Sequence, residues 1–526
     1  EEIYQSTKGS SKGLNLSVSL TESNSRTFHR LQDCLVNLDQ SEEALVVAES
    51  TRARSLGEVL LDRSKHIWPN CNYPLTLDTI KQIAASQECP IVYLSYTGAR
   101  LLLWLLVPNN SICIIYHEAV QVDKLEREKF EGKPFDHYVC HNVSRAAGEA
   151  QLELFGDLND SKMSLTVLFE IVAQPIIKML TAAKIKNKTE QLIIIPDSYT
   201  CLIPFAALHQ DLNTTFGDMF CIQIMPSLLA LGILGSRNHH NEVIEPNNAC
   251  VVGNPDIPMF EHNGEEWNLG RLPHATKEAE WISYVLKTSP ILDQQATKNA
   301  VLSRMMSADI IHIATHGSAV SGFLAFAGVN TSSRGSPSDT KDVLLFPSEV
   351  EKLTINPVLV VLSSCDSARG TMRADGIMGM GRAFFLAGAQ SILTTLWKVP
   401  DESAGVFMQF FYQYLEEDGV STTQALQKAG CSLRCFRKYS HYTHWGAYQL
   451  CGKQVAMDLK TKTCGLLLEQ RLGPKVAFPR HDVVKKLELS LLDSTTTPSN
   501  AQVRSNVSWM QFYTCILTDF MGLFWY

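Results

Sequence analysis

Two short stretches of this chain combine residue types that can do nucleophilic chemistry. The first reads Ile311-His312-Ile313-Ala314-Thr315-His316-Gly317-Ser318. The second reads Val360-Val361-Leu362-Ser363-Ser364-Cys365-Asp366-Ser367-Ala368-Arg369-Gly370. Each is an apolar run ending in a reactive side chain, with small or polar residues after it. A thiol with an ordinary pKa near ~8.5 is only a few per cent thiolate at neutral pH, and an adjacent imidazole raises that share. The same imidazole can later protonate a leaving amine. Gly317 has no side chain, so its N–H can approach a scissile carbonyl, and with the N–H of Cys365 it can form an oxyanion hole. Alone, a histidine after a strand is ordinarily a satisfied polar residue, and a cysteine ending a strand is ordinarily a small hydrophobe. Together, His316 and Cys365 have the makings of a dyad. His312 lies inside its run rather than at the end and reads as structural. No further Cys or His cluster accompanies the pair, so neither a metal nor another cofactor is expected.

The dyad needs two strands that end at one edge. Segments 309–314 and 358–362 read as buried strands, and Lys298 to Met306 as the helix before the first. A helix is expected from Gly376 to Ala387, stopped by Gly388 at C′. After it come a strand at 391–396, a helix at 402–416 capped by Asp401, a helix at 423–436 and a strand at 445–451. Strands alternating with helices imply a mostly parallel sheet covered on both faces, with sites beyond the carboxyl ends of its strands. Farther upstream, 91–96, 101–107 and 112–116 read as strands, the last two as a hairpin. Residues 165–183 read as a helix with a kink or break at Pro175, 192–195 and 250–253 as strands, and 276–286 as a helix capped by Thr276.

Phe28, Leu31, Leu35 and Leu38 recur at helical spacing. After the break at Asp39-Gln40-Ser41, with Ser41 as cap, a longer second helix runs through Ala44, Leu45, Ala48, Leu56 and Leu60. This hairpin is similar to the last unit of a tetratricopeptide array. One such unit cannot bury its own face, so more repeats are expected upstream of Glu1. The domains expected are a loose end at 1–21, the hairpin at 22–65, a non-catalytic half at 66–290, a catalytic half at 291–455 and a largely disordered tail at 456–526.

A net charge of −8 with a pI near 6.0 argues against a nucleic-acid partner. The 14 cysteines are scattered without CxxC pairs, which suits reduced thiols in the cytoplasm. The apolar end at 509–526 barely reaches bilayer length and carries Gln511 and Asp519, so no membrane partner is expected. Gly376 to Gly381 is Gly-rich, but it lacks the lysine and the spacing of a phosphate cradle.

From about Asp309 to Gly452 the chain resembles a CHAT domain, a caspase-like module found downstream of tetratricopeptide repeats. The resemblance rests on five ordered blocks. They are His316-Gly317, Leu362-Ser363-Ser364-Cys365, Gly379 to Phe384, Leu396-Trp397-Lys398-Val399-Pro400-Asp401 and Trp445-Gly446-Ala447. The interval 365 − 316 = 49 residues also matches the roughly 50-residue His-to-Cys spacing of caspases. Ile194-Ile195-Pro196-Asp197, Ile203 to Leu208 and Pro226-Ser227-Leu228 extend the resemblance back to about Asp62. Membership implies a caspase-like three-layer α/β/α sandwich with a mostly parallel sheet, and it makes His316 and Cys365 the dyad of a cysteine endopeptidase acting on a peptide or protein. Relatives of this kind select substrates through a charged pocket. Asp366 and Asp375 would suit a basic side chain, Arg369 and Arg373 an acidic one, and all four also read as solvated loop residues or caps. Arg382 reads as an internal hydrogen-bonding partner and Trp397 as core. Where relatives often carry Pro before the final Trp, this chain has His444. The Ser/Gly-rich loop 329–341 is expected to be mobile near substrate entry. The competing reading is a scaffold whose repeats and caspase-like body bind protein partners without turnover.

Overall fold

The computed structural model describes residues 25–52, 54–63, 74–109, 112–125, 129–130, 134–141, 165–197, 199–211, 214–236, 243–318, 322–328, 340–364, 370–373, 376–417 and 419–459. The expectations for 1–21, for 329–339 and for the tail beyond 459 lie outside these residues.

Long apolar stretches with β-branched residues form one mixed sheet. Its strands are β1 (Ile91–Tyr96), β2 (Arg100–Asn109), β3 (Ile112–Gln121), β4 (Gln191–Ile195), β5 (Cys221–Ile224), β6 (Ala249–Pro255), β7 (Ile291–Asp293), β8 (Ile310–Thr315), β9 (Leu359–Ser364), β10 (Ser391–Thr395) and β11 (Tyr448–Gly452). These eleven strands lie in the order β3-β2-β1-β4-β5-β11-β10-β9-β8-β6-β7. β1, β4, β5 and β11 run parallel as one half-sheet, with the β2–β3 hairpin added antiparallel at its edge. β10, β9, β8, β6 and β7 run parallel as the other half. The halves meet where β11 pairs antiparallel with β10, so their carboxyl edges face opposite ends of the sheet. β1, β6 and β8 are buried at every position, the mark of strands covered on both faces.

One apolar layer runs under much of the sheet, on both sides of its centre. It joins Ala44, Leu45 and Ala48 of the helical hairpin to Ile193, Val252, Ile311, Ile313, Val360 and Phe384. On the other face, the Pro273–Val285 helix packs on β6 and on the Asp401–Leu415 helix, which packs in turn on the Thr422–Arg434 helix. Gly253 permits this approach, since a Cβ there would meet Ala279 Cβ at 2.5 Å and the Ala275 carbonyl at 2.6 Å.

Several helix starts differ from expectation. Gln40, not Ser41, is the N-cap of Ser41–Thr51, and no side chain bonds there. The second helix breaks after Thr51, where Arg52 turns extended, and resumes as Arg54–Arg63. Pro273, preset for a first helical turn, starts the helix expected from Thr276. Thr276 Oγ1 instead accepts from Asn254 Nδ2 at 2.8 Å. Gly376–Gly379 is a strand paired with Gly370–Arg373, and the helix begins at Met380. A Gly-rich segment has little helical propensity, so ribbon pairing takes it. Gly388 closes that helix in a left-handed conformation, φ 116°. Near Pro175 the helical path continues, widened to a π-turn over Phe169–Ala173 that closes with Gln174 N–H on the Phe169 carbonyl. A π-turn is one way a helix absorbs the N–H that proline lacks.

Candidate functional site

β8 ends at Thr315, paired in register with Ser364 at the end of β9. Threonine hydroxyls pin both ends. Thr315 Oγ1 donates to the Ala325 carbonyl at 2.6 Å, and Thr395 Oγ1 to the Ser364 carbonyl at 2.8 Å. The next residue after Thr315, His316, is held by its own backbone, whose carbonyl accepts from Ala325 N at 3.0 Å. Gly317 faces Leu324 across a short antiparallel bridge flanked by the His316–Ala325 and Ser318–Phe323 bonds. In that pattern the bridged residue turns its N–H and C=O away from its partner strand, so the Gly317 N–H points outward.

His316 is half-buried, and its ring Nε2 lies 2.6 Å from the Gly270 carbonyl oxygen. A carbonyl only accepts, so Nε2 carries the proton and Nδ1 keeps the lone pair of the neutral ring. Burial lowers the His316 pKa below its ordinary value, and Lys398 adds to this. The Gly270 bond and Asp401 oppose the shift. The ring is therefore poised as a neutral base with its basic nitrogen left for other chemistry.

Gly270 is placed by a strap across the end of β6. Asn254 Oδ1 accepts from Leu272 N at 2.7 Å. Arg271 bridges Asp256, at 3.3 Å, and Asp293. The helix that follows is held from another element. Asp401, expected to cap its own helix, is the first residue of it, and its carboxylate accepts from His274 N at 2.9 Å and from the Ala275 N–H. Burial raises the Asp401 pKa against the pull of these bonds.

His312 is fully buried. Its Nε2 meets Glu278 Oε1 at 2.9 Å, and its Nδ1 meets Tyr412 Oη at 3.3 Å, tying β8 to two helices, a structural part. Trp397 is buried with Nε1 donating to the Thr443 carbonyl at 2.9 Å. His444 is buried too. Ser403 Oγ donates to Pro400, so it accepts from His444 Nδ1 at 2.9 Å. Arg382 is half-buried on the Met380–Ala387 helix. Cys365, Asp366, Arg369 and Asp375 lie outside the described residues, and for Arg373 the backbone alone is described. Among the described residues no group of three His, Cys, Asp or Glu side chains is placed to hold a metal ion. Gly270 and the Asn254–Asp256 strap carry no linear signature.

A family model for the CHAT domain matches residues 162–453. The chain belongs to the CHAT domain family. Tetratricopeptide repeat protein 28 of Homo sapiens is 24% identical over 577 residues, covering 86% of this chain and 23% of that protein. The Mus musculus protein of the same name is 24% identical over 578 residues with the same coverage. The chain thus spans about a quarter of the length of these curated relatives. Among solved structures, the Saccharomyces cerevisiae separase–securin complex matches with a TM-score of 0.51 at 13% identity, covering 85% of this chain and 37% of that one. A second structure of that complex gives 0.50 at 12% identity, with the same coverage. This likeness shows the fold, and the CHAT domain here is a caspase-like α/β domain with a large, mostly parallel sheet. Relatives that carry tetratricopeptide repeats point to protein–protein interaction in general.

Proposed function

We propose that this CHAT domain is a cysteine endopeptidase in which His316 activates Cys365. The observation that carries the reading is the tautomer of His316: with Nε2–H held by Gly270, the free Nδ1 can take the thiol proton. Support also comes from the register. Thr315, the residue before His316, pairs with Ser364, the residue before Cys365, and the pleat gives 312 and 314 the same face as 361 and 363. The thiolate then attacks the scissile carbonyl, and the Gly317 and Cys365 amides receive the oxyanion. The imidazolium protonates the leaving amine, and water, deprotonated by the neutral ring, hydrolyses the thioester. The substrate is a peptide or protein, with partners selected by repeats upstream. All ten described cysteines are free, which supports a reducing, cytoplasmic setting.

Timed alkylation with iodoacetamide, mapped by mass spectrometry, tests this directly. Burial pushes the thiols of Cys89, Cys221, Cys250 and Cys451 up to about 12 and those of Cys113 and Cys431 to about 11, so the background is slow. Cys365 is expected to label ahead of the exposed Cys34 and Cys435. His316→Ala is expected to slow Cys365 labelling at least ~10-fold and peptide turnover at least ~100-fold. Labelling of Cys365 no faster than Cys34, unchanged by His316→Ala, would leave the docking role as the reading.

A further inference from the structure

Two segments flank His316 at the carboxyl edge, and one carboxylate fastens them together. Neighbouring strands run β10-β9-β8-β6, so the chain leaving β10 and the chain leaving β6 stand on either side of the ends of β9 and β8. After β10, residues 396–400 lead into the Asp401–Leu415 helix, with Asp401 as its first residue. After β6, Gly270 lies just ahead of the Pro273–Val285 helix. The Asp401 carboxylate accepts from His274 N at 2.9 Å and from the Ala275 N–H, both in the first turn of that second helix. The segment is thus anchored at every other residue. The Gly270 carbonyl lies 2.6 Å from His316 Nε2, Leu272 N donates to Asn254 Oδ1 at 2.7 Å, and His274 N donates to Asp401. A carbonyl on a slack loop would let the ring it holds rotate, whereas one followed by two anchored amides keeps its direction.

We propose that Asp401 is a positioning residue for His316: its clasp on His274 and Ala275 sets the Gly270 carbonyl that aims the ring, and its negative charge steadies the ring once a proton arrives. The consequence for turnover rests on the peptidase reading of His316, and the clasp itself does not. The Asp401–His274 bond joins residues 127 apart in the chain, so it ties two elements together rather than capping one. Its donors are the leading amides of a helix, where unpaired N–H groups and the helix dipole favour an anion. Charge points the same way. Lys398 and Asp401 act on the His316 ring in opposite senses, Lys398 disfavouring the protonated form and Asp401 favouring it. Around Asp401 stand His274, which draws its carboxyl toward the ionised form, and Glu278, which opposes this and is itself bonded to His312 at 2.9 Å. Asp401 is half-buried, so water screens its charge less than that of a surface carboxylate.

The test reads the ring itself. The full chain carries isotope-labelled histidine, and long-range proton–nitrogen correlation spectra distinguish the two neutral tautomers and follow protonation. The His316 signal is identified by its loss in His316→Ala. In the unaltered chain His316 is expected as the Nε2–H tautomer. Asp401→Asn keeps an acceptor oxygen and loses the charge, so the tautomer should hold while the ring titrates at lower pH. Asp401→Glu should return the titration toward that of the unaltered chain. Asp401→Ala loses the clasp as well and should give a mixture of tautomers. Peptide hydrolysis is followed in parallel, and kcat is expected to fall about tenfold in Asp401→Asn and about 100-fold in Asp401→Ala, with KM changing less than about threefold. Thermal melts verify folding, and where Asp401→Ala does not fold, Asp401→Asn carries the test alone. A His316 titration unchanged in Asp401→Asn overturns the proposal even if the melting temperature falls, because a merely structural bond gives that result. So does a pure Nε2–H tautomer in folded Asp401→Ala. A ring that responds to Asp401 in a chain without hydrolysis removes the peptidase reading and keeps the positioning role. Hydrolysis with an unresponsive ring removes the positioning role alone.

Discussion

The two half-sheets each offer a carboxyl edge, and they treat it in opposite ways. At the ends of β1 and β4 the helical hairpin closes the edge. Ser95 Oγ donates to Gln32 Oε1 at 2.7 Å, Thr97 Oγ1 to Asp33 Oδ1 at 3.1 Å, and Arg52 Nη2 to the Leu94 carbonyl at 2.6 Å. Asp197, after β4, takes up the Tyr96 N–H and the Thr200 hydroxyl and amide. Every backbone group named there is satisfied from within the chain. At the ends of β8 and β6, in contrast, the edge carries a half-buried imidazole, an outward amide at Gly317 and an exposed ion cluster. The topological position is equivalent in kind, so among the described residues the difference lies in what covers it. Parallel strands make a crevice, and only an uncovered crevice can take a substrate.

Stripping the closed edge should have the largest effect on stability. Arg52 is nearly buried and stacks over Tyr93 at 4.7 Å, so Arg52→Ala is expected to cost about 3 kcal/mol, read as a lower urea midpoint with little change in peptide turnover. A large loss of turnover at unchanged stability would break the comparison. Loosening the open edge should do the reverse. Asn254→Ala frees the strap that carries Gly270, and about a tenfold fall in kcat with KM nearly unchanged is expected, alongside about 1–2 kcal/mol of destabilisation.

Smaller effects come from two buried groups that titrate with opposite sign. Glu49, at the closed edge, accepts from Leu229 N at 2.9 Å, and burial raises it to about 7. The folded state therefore binds more protons than the unfolded one between the ordinary value of 4.5 and about 7, so this group's contribution to stability falls as pH rises through that window. His444 is lowered by burial to about 4, so its contribution rises as pH climbs from about 4 to the ordinary 6.5. The two windows overlap between about 4.5 and 6.5, where the slopes oppose each other, so melting temperature should rise more steeply with pH in Glu49→Gln and fall more steeply in His444→Asn. Unchanged profiles would show that other groups dominate.

Much of the sheet was legible because strands buried on both faces read as unbroken apolar runs. The run 310–315 ends one residue before His316, and the run 359–364 one residue before Cys365, close to where the pattern placed them. Helix caps were less legible. Ser41, Thr276 and Asp401 each have the right chemistry for an N-cap, yet Thr276 and Asp401 bond across to another element and Ser41 bonds nowhere as a cap. A capping side chain serves whichever donor the packing brings nearest. The ribbon at Gly370–Arg373 and Gly376–Gly379 was missed because glycine leaves local propensity too weak to oppose pairing.

By itself the order of residues determined most of the buried strands, within a residue or two where β8 and β9 stop, and which reactive side chains follow those stops; it missed β5 and β7 and cut β3 short. Period and apolarity are local properties, and they survive without the fold. Only the tertiary structure decided that the ring of His316 is held by the carbonyl of Gly270, that Arg271 sits between Asp256 and Asp293, and that the hairpin seals the edge at β1 and β4. A backbone carbonyl has no letter in the sequence, and an ion pair between residues far apart in the chain exists only once the strands that carry them lie side by side.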